Sequence, residues 1–154
     1  ILSGEDYLRA VFKEISNFNL ITDGLSYNPF NVDKRELHQR TWEIMEKEFD
    51  KDMEKNLDYL YNMHSTGKMT TDETQLIPVA FQGRINKLFV DISENIWGKM
   101  DEQNKVDIHL KPQEGDKDLL DVAAWQTLKY NGDIYYVSRE KIPNGKKMAA
   151  ILRY

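Results

Sequence analysis

The sequence contains no cysteine among its 154 residues. Disulfides and thiolate metal sites are thereby excluded, and the usage fits a reducing, cytoplasmic setting. Long apolar runs are also missing: none approaches the ~20 residues that cross a bilayer. The opening residues lack the charged-then-apolar pattern of a signal peptide. Basic residues are in deficit, 21 Lys and Arg against 26 Asp and Glu, which leaves a formal charge of −5. That balance disfavours broad non-specific binding to nucleic acid, although a local basic patch can survive it.

Familiar catalytic spacings are absent as well. There is no H-E-x-x-H, no phosphate-binding loop, no G-x-G-x-x-G and no G-x-S-x-G. His38, His64 and His109 lie far apart and share no ligand-type spacing. Neither a metal nor a cofactor is expected. Carboxylates are plentiful, but they fall on helix starts and solvated faces, so no catalytic residue stands out.

What is present points to a layered α/β fold. The length suits one domain, or one domain plus part of another, and such a chain buries about 68–70% of its unfolded surface. The first residue is Ile1, not Met, and the expectation is a piece of a longer protein. "ILSG" reads as the end of a strand. Leu8, Val11, Phe12, Ile15 and Phe18 then recur at helical spacing. Asp23-Gly24 and Asn28-Pro29 are turn signals at a junction between units.

A long helix follows, opened by Asp33 with Glu36 three residues on. Its stripe is Leu37, Thr41, Met45, Phe49, Met53, Leu57 and Leu60, and Gly67 is its stop. Thr70 or Thr71 starts a shorter helix that holds Pro78 and ends at Gly83. "INKLFVDI" reads as a strand covered on both faces. "VDIHL" alternates Val106, Ile108 and Leu110, as a strand with one wet face does. Trp97-Gly98 reads as a loop anchor. Asp116 caps a helix whose buried face is Leu119, Leu120, Ala123, Ala124, Thr127 and Leu128, and Asn131-Gly132 ends it. "DIYYV" is a strand, "PNG" a turn, and "MAAILR" a last strand expected to pair beside "DIYYV". Ala149 and Ala150 would let a helix approach it, with Arg153 and Tyr154 as a sheet-edge anchor.

Two places are candidate contacts. Gly83 and Arg84 sit where a helix hands over to a strand, which plain capping also explains. Arg139, Lys141, Lys146 and Lys147 form a mild basic cluster near the last turn, the one plausible contact for phosphate. "NPF" (Asn28 to Phe30) reads as a turn before a helix rather than a peptide ligand.

Together "AFQGRINKLFVD" and "GDKDLLDVAAWQTLKYNGDIYYVSREKIPNGKKMAAILRY" resemble the C-terminal domain of the archaeo-eukaryotic class-1 peptide chain release factors and their Pelota relatives. The bacterial members of that superfamily are the most similar. The resemblance covers residues 32–154 and is best from Pro78 on; its most specific part is the ending. "ILSGEDYLRAVFKEI" is similar to the end of the family's middle domain, so residues 1–31 are expected to belong to that domain or to a linker. The implied fold is a mixed β-sheet packed against helices, like that of kink-turn RNA-binding ribosomal proteins, preceded by a long helix.

The departures limit what carries over. The family's hydrolytic Gly-Gly-Gln loop is absent here, as is the domain that reads the stop codon. The resemblance implies a non-catalytic domain that docks a protein partner, such as a translational GTPase, within a ribosome-associated bacterial protein. Direct RNA binding through Arg84 and Arg139 to Lys147, and a hydrolase or nuclease built on carboxylates, are the alternatives.

Overall fold

The computed structural model describes residues 1–21, 24–26 and 28–154. The chain forms two compact units, Ile1–Glu54 and Lys55–Tyr154.

In the first unit, Ser3 and Leu25 form a parallel bridge, with the Gly4 N–H donating to the Leu25 carbonyl at 3.0 Å. Helix α1 (Asp6–Ile15) carries the expected apolar face, yet none of its residues is buried. Asn28 accepts a hydrogen bond from the Phe30 N–H and caps a 3-10 turn, so "NPF" is a local turn. Asp23, half of the other expected turn signal, lies outside the described residues. Helix α2 (Lys34–Met63) runs for 30 residues. At 1.5 Å per residue that is about 45 Å. The Asp33 carboxylate accepts from the Arg35 N–H, as an N-cap does. Glu36 does not reach back to close a capping box; it pairs with Arg40 one turn on. Beyond Met63 the chain turns through Gly67 at φ +72°. Within α2 the buried residues are Asn56, Leu57 and Leu60, all of the second unit.

The second unit continues with β1 (Met69–Thr70), α3 (Glu73–Phe81), β2 (Ile85–Val90), β3 (Trp97–Met100), β4 (Val106–His109), β5 (Lys117–Asp118), α4 (Leu119–Lys129), β6 (Asp133–Tyr136) and β7 (Met148–Leu152). A four-stranded sheet has the order β1-β7-β2-β6. Its β2–β6 pair is parallel; its β2–β7 and β1–β7 pairs are antiparallel. The sheet is therefore mixed, as the sequence pattern predicts. Side chains of α3, α4, β2 and β7 make one core, whose buried members include Leu76, Ile77, Ala80, Leu88, Leu120, Ala123, Met148 and Ala150. Phe89, Ala149 and Ile151 are buried too. They alternate with Leu88, Met148 and Ala150, so both faces of the sheet are covered.

The structure corrects several expectations. β7 pairs with β2, not with β6. Met148 to Ile151 are all buried, which suits an interior strand, whereas β6 exposes both its end residues and suits an edge. Trp97 and Gly98 are not a loop anchor; they begin β3, the centre of a second, three-stranded antiparallel sheet ordered β4-β3-β5. A Cβ on Gly98 would lie 2.2 Å from the Asp107 carbonyl, so glycine is what lets β4 approach. The cap of α3 is Asp72 rather than Thr70 or Thr71, because Thr70 is taken into β1. Pro78 lies inside that nine-residue helix, as the sequence pattern predicts. The cap of α4 is Asp118 rather than Asp116. Leu128 is exposed rather than buried, and of the alternating Val106, Ile108 and Leu110 just Val106 packs against the core; Ile108 and Leu110 are exposed.

The position of β7 fixes its weight in stability. Burying a side chain such as Met148 or Ile151 is worth about 1.5–3 kcal/mol each. Total stabilities run to about 5–15 kcal/mol. Deleting Met148 to Tyr154 should therefore abolish the cooperative thermal transition in circular dichroism. A melt with an unchanged midpoint would refute the interior role of the strand.

Candidate functional site

The predicted contact residues fall into two groups at opposite ends of β2. Gly83 and Arg84 precede its first residue, and Arg139 to Lys147 surround its last. Six strand residues span about 20 Å. The six side chains do not converge on one site.

At the first end, Gly83 takes φ +68° just past α3 and lies against the Tyr130 ring. The Arg84 guanidinium stacks over the Tyr154 ring at 5.2 Å and donates to the Tyr154 carbonyl at 3.0 Å. Its backbone carbonyl accepts from the Arg153 N–H. Arg153 in turn donates to the carbonyls of Ile85 and Tyr130. Arg84, Arg153 and Tyr154 thus clamp the chain end to the sheet, as the sequence pattern predicts for the last two.

At the other end, Glu94 gathers two of the four basic residues. Lys147 lies 2.8 Å from its carboxylate and Arg139 lies 3.4 Å away. Lys147 also donates to the Asn95 carbonyl, and Arg139 to the Gly145 carbonyl. The Lys147 hydrogen bond, with its charge, holds the Glu94 carboxyl below its ordinary range. Lys141 accepts from the Tyr61 hydroxyl through its backbone, and its side chain is exposed. Lys146 is exposed, and its charge contributes to keeping Asp72 ionised. Two of the four basic side chains, Arg139 and Lys147, are thus engaged by the protein itself, and those of Lys141 and Lys146 are exposed.

A small cavity of about 130 Å³ beside this network is lined by Asp91, Glu94, Asp118 and Asp121. Its acids have structural work. Asp91 accepts from the Ser93 hydroxyl and backbone, which holds its carboxyl low. Asp118 caps α4 and accepts from Asn95. A general acid at neutral pH needs a raised pKa, and the shifts at Asp91 and Glu94 run the other way. Among the described residues no group of three or more His, Asp or Glu is placed to hold a metal.

An apolar groove of about 840 Å³ lies between α4 and the second sheet. Phe81, Met100, Trp125, Leu128, Ile134 and Tyr136 supply its apolar surface. Trp125 is 62% exposed, Leu128 59% and Tyr136 59%. Large exposed aromatic and aliphatic side chains grouped in one concavity mark an interaction site. The sequence reading missed it, although a signal existed: α4 carries a second apolar stripe through Val122, Trp125 and Leu128 beside its buried one.

One wall of the groove is pinned by a buried ion pair. The His109 Nδ1 donates to the Asp116 carboxylate at 2.9 Å, and its Nε2 lies 3.3 Å from Asp107. The Asp116 side chain is 1% exposed and also accepts from the Gln113 N–H. The pair ties β4 to the segment holding Gly115 and Lys117, the first residue of β5, both of which line the groove. The Asp116 hydrogen bond raises the imidazole above its ordinary 6.5, against desolvation, with the Asp116 and Asp107 charges adding to it. Desolvation pushes the Asp116 carboxyl up, but His109, the Gln113 N–H and the Lys99 charge outweigh it and hold the group low.

Comparison with known proteins places the chain. The model of the Bacterial archaeo-eukaryotic release factor family 3 matches residues 1–84, more than half of the sequence. The chain belongs to this family. No curated protein matches it. Among solved structures, the C-terminal domain of a peptide chain release factor from Methanosarcina mazei is similar, with a TM-score of 0.57 and 17% identity. That likeness covers 80% of this chain and 97% of the archaeal domain. At such identity it is a likeness of fold, and it agrees with the α/β architecture and mixed sheet described above.

In this release factor family member Gly83 has a structural role that is directly testable. Left-handed backbone costs an L-residue about 1–2 kcal/mol, and a Cβ would lie 2.8 Å from the Tyr130 ring. Gly83→Ala should lower stability by at least that amount in urea melts, and an unchanged midpoint would contradict the assignment. His109 gives a pH dependence. Its folded pKa is raised, so its contribution is full below about 6.5 and is lost as pH rises through the folded value. The melting temperature of the wild type should fall towards that of His109→Gln across the neutral range. Parallel profiles of the two proteins would show that the pair contributes nothing.

Proposed function

We propose that this release factor-like chain is a non-catalytic docking domain of a translation-associated, cytoplasmic bacterial protein, and that it holds a protein partner rather than RNA. The observation that supports this most is where the polar and apolar surfaces lie. Arg84, Arg139 and Lys147 are engaged within the protein. What faces outward in a concavity is Trp125, Leu128 and Tyr136. Aromatic anchors in a desolvated pocket are the pattern of protein interfaces. The net charge of −5 favours the same reading, since phosphate contacts dominate binding to RNA and DNA alike. The sequence carries no Gly-Gly-Gln, and the acids beside β2 are held ionised by structural hydrogen bonds.

The domain reading proposed with it assigns residues 1–31 to a preceding middle domain or linker and residues 32–154 to the release factor C-terminal-like domain. The exposed apolar face of α1, with Leu8 at 60% and Ile15 at 76%, suits a helix that packs on something further.

Co-sedimentation with purified ribosomes, with and without a GTP-bound translational GTPase, tests the proposal. Association is expected in at least one of these states. Its affinity should fall less than about tenfold between ~50 and 200 mM salt, where a protein making 6–10 phosphate contacts loses about 10³–10⁵. No association in any state would overturn the proposal, and so would a loss of the steep, phosphate-type magnitude.

A further inference from the structure

The groove has a chemical bias that narrows what it can hold. Its floor is apolar, but its rim is basic in an acidic protein. Lys99 of β3 and Lys117 of β5 line the wall formed by the second sheet, and Asp121 is the one acid among the lining residues. On the α4 side, the Lys129 ammonium sits 5.5 Å from the centre of the Trp125 ring, so a third cation borders an exposed aromatic side chain of the groove. The cavity of about 840 Å³ lies near the top of the roughly 300–1,000 Å³ range of ligand clefts. Residues of α3, α4, β3, β5 and β6 make its walls, so no one strand supplies the surface that a partner meets.

This is the geometry of helix-in-groove recognition, in which apolar anchors at i, i+3 or i+4 and i+7 enter a trough. Charges at the rim then choose the partner and its register by complementarity. We infer that the groove between α4 and the β3/β5 wall binds an amphipathic helix of a protein partner whose apolar anchors are flanked by Asp or Glu. Trp125, Leu128 and Tyr136 receive the anchors; Lys99, Lys117 and Lys129 receive the acids. This rests on the protein-docking reading and names the chemistry of the docked segment. Lys99 already lends its charge to holding Asp116 ionised, so the cation at the rim and the ion pair that pins the wall belong to one arrangement.

The test is a selection on the full chain. A phage-displayed library of amphipathic helical peptides, with the flanks of the apolar face randomised, is panned against the immobilised protein. Enriched peptides should carry Asp or Glu beside two large apolar residues. Their synthetic versions should bind Trp125→Ala/Leu128→Ser at least tenfold more weakly. Both side chains are more than half exposed, so the double variant should keep its fold, and an unchanged melt verifies that. Lys99→Glu/Lys117→Glu should shift the enriched flanks towards Lys and Arg. Enrichment of basic flanks on the wild type, peptides indifferent to both variants, or no enrichment would each overturn the inference. Tighter binding of a fluorescein-labelled oligouridine than of any selected peptide, lost in Trp125→Ala/Leu128→Ser, would overturn it in favour of stacked single-stranded RNA. Ribosome association is read separately, so the docking reading can stand where the acidic-helix chemistry falls.

Discussion

The antiparallel pairing of β2 with β7 is the constraint on which the second unit depends. Five register pairs join them, from Ile85–Leu152 to Val90–Met148. The pairing continues past both ends, through the Asp91 N–H to the Lys147 carbonyl and the Arg153 N–H to the Arg84 carbonyl. Because β7 lies between β1 and β2, Ala150 and Ile151 pair with a strand on both sides. Its side chains Met148, Ala149 and Ala150 are all inaccessible to solvent. β7 joins β2 across about 60 residues of sequence, so the fold is non-local, and its core is complete only when β7 has docked.

This arrangement also decides which basic residues are available. Arg84, Arg153 and Tyr154 hold the chain end at one end of β2. Glu94, Arg139 and Lys147 hold the segment before β7 at the other. Such partly exposed ion pairs contribute little stability individually, about 0–1 kcal/mol. Their consequence for function is larger, because a cation shared with Glu94 or stacked on Tyr154 is a weaker contact for an outside phosphate. Clusters of Lys and Arg near a turn look alike in sequence whether they face a ligand or their own protein. Only the partner side chains, here Glu94 and Tyr154, separate the two.

That difference shows what the sequence could carry. Helices α1, α2, α3 and α4, strands β2, β6 and β7, the mixed sheet and the family were legible, because periodicity and turn residues are local signals and the motif order is distinctive. The partner of β7 was not: nothing in "MAAIL" distinguishes a neighbour at "DIYYV" from one at "INKLFV". The second sheet was half visible. β4 alternates, but β3 is four residues with a glycine, and β5 is two residues that read as the start of a helix. Asp116 and Asp118 are both plausible caps two residues apart, and His109, which claims Asp116, comes from another strand. The groove was hidden for the same reason. Trp125 and Leu128 look like core residues on α4 until the second sheet is in place to show that it leaves them uncovered.

The second sheet is thus the element that leaves an open apolar groove on a packed domain. Gly98 allows β4 to lie close to β3, and Leu119 packs beside it, so the hairpin is fixed to the start of α4. His109 and Asp116 then hold the loop beyond β4 against the same hairpin. The groove wall is consequently a built structure, fixed by a glycine contact and a buried ion pair, rather than a loose flap. A rigid wall matters for binding, because a preformed trough does not spend binding energy on its own ordering. The side chains left unburied in it, Trp125 and Tyr136, are rigid aromatics that lose little rotamer freedom when a partner covers them. Stability and the open groove draw on different faces of α4: Leu120, Ala123 and Thr127 on the sheet side, Trp125 and Leu128 on the groove side. The groove face can therefore change without disturbing the β2–β7 core.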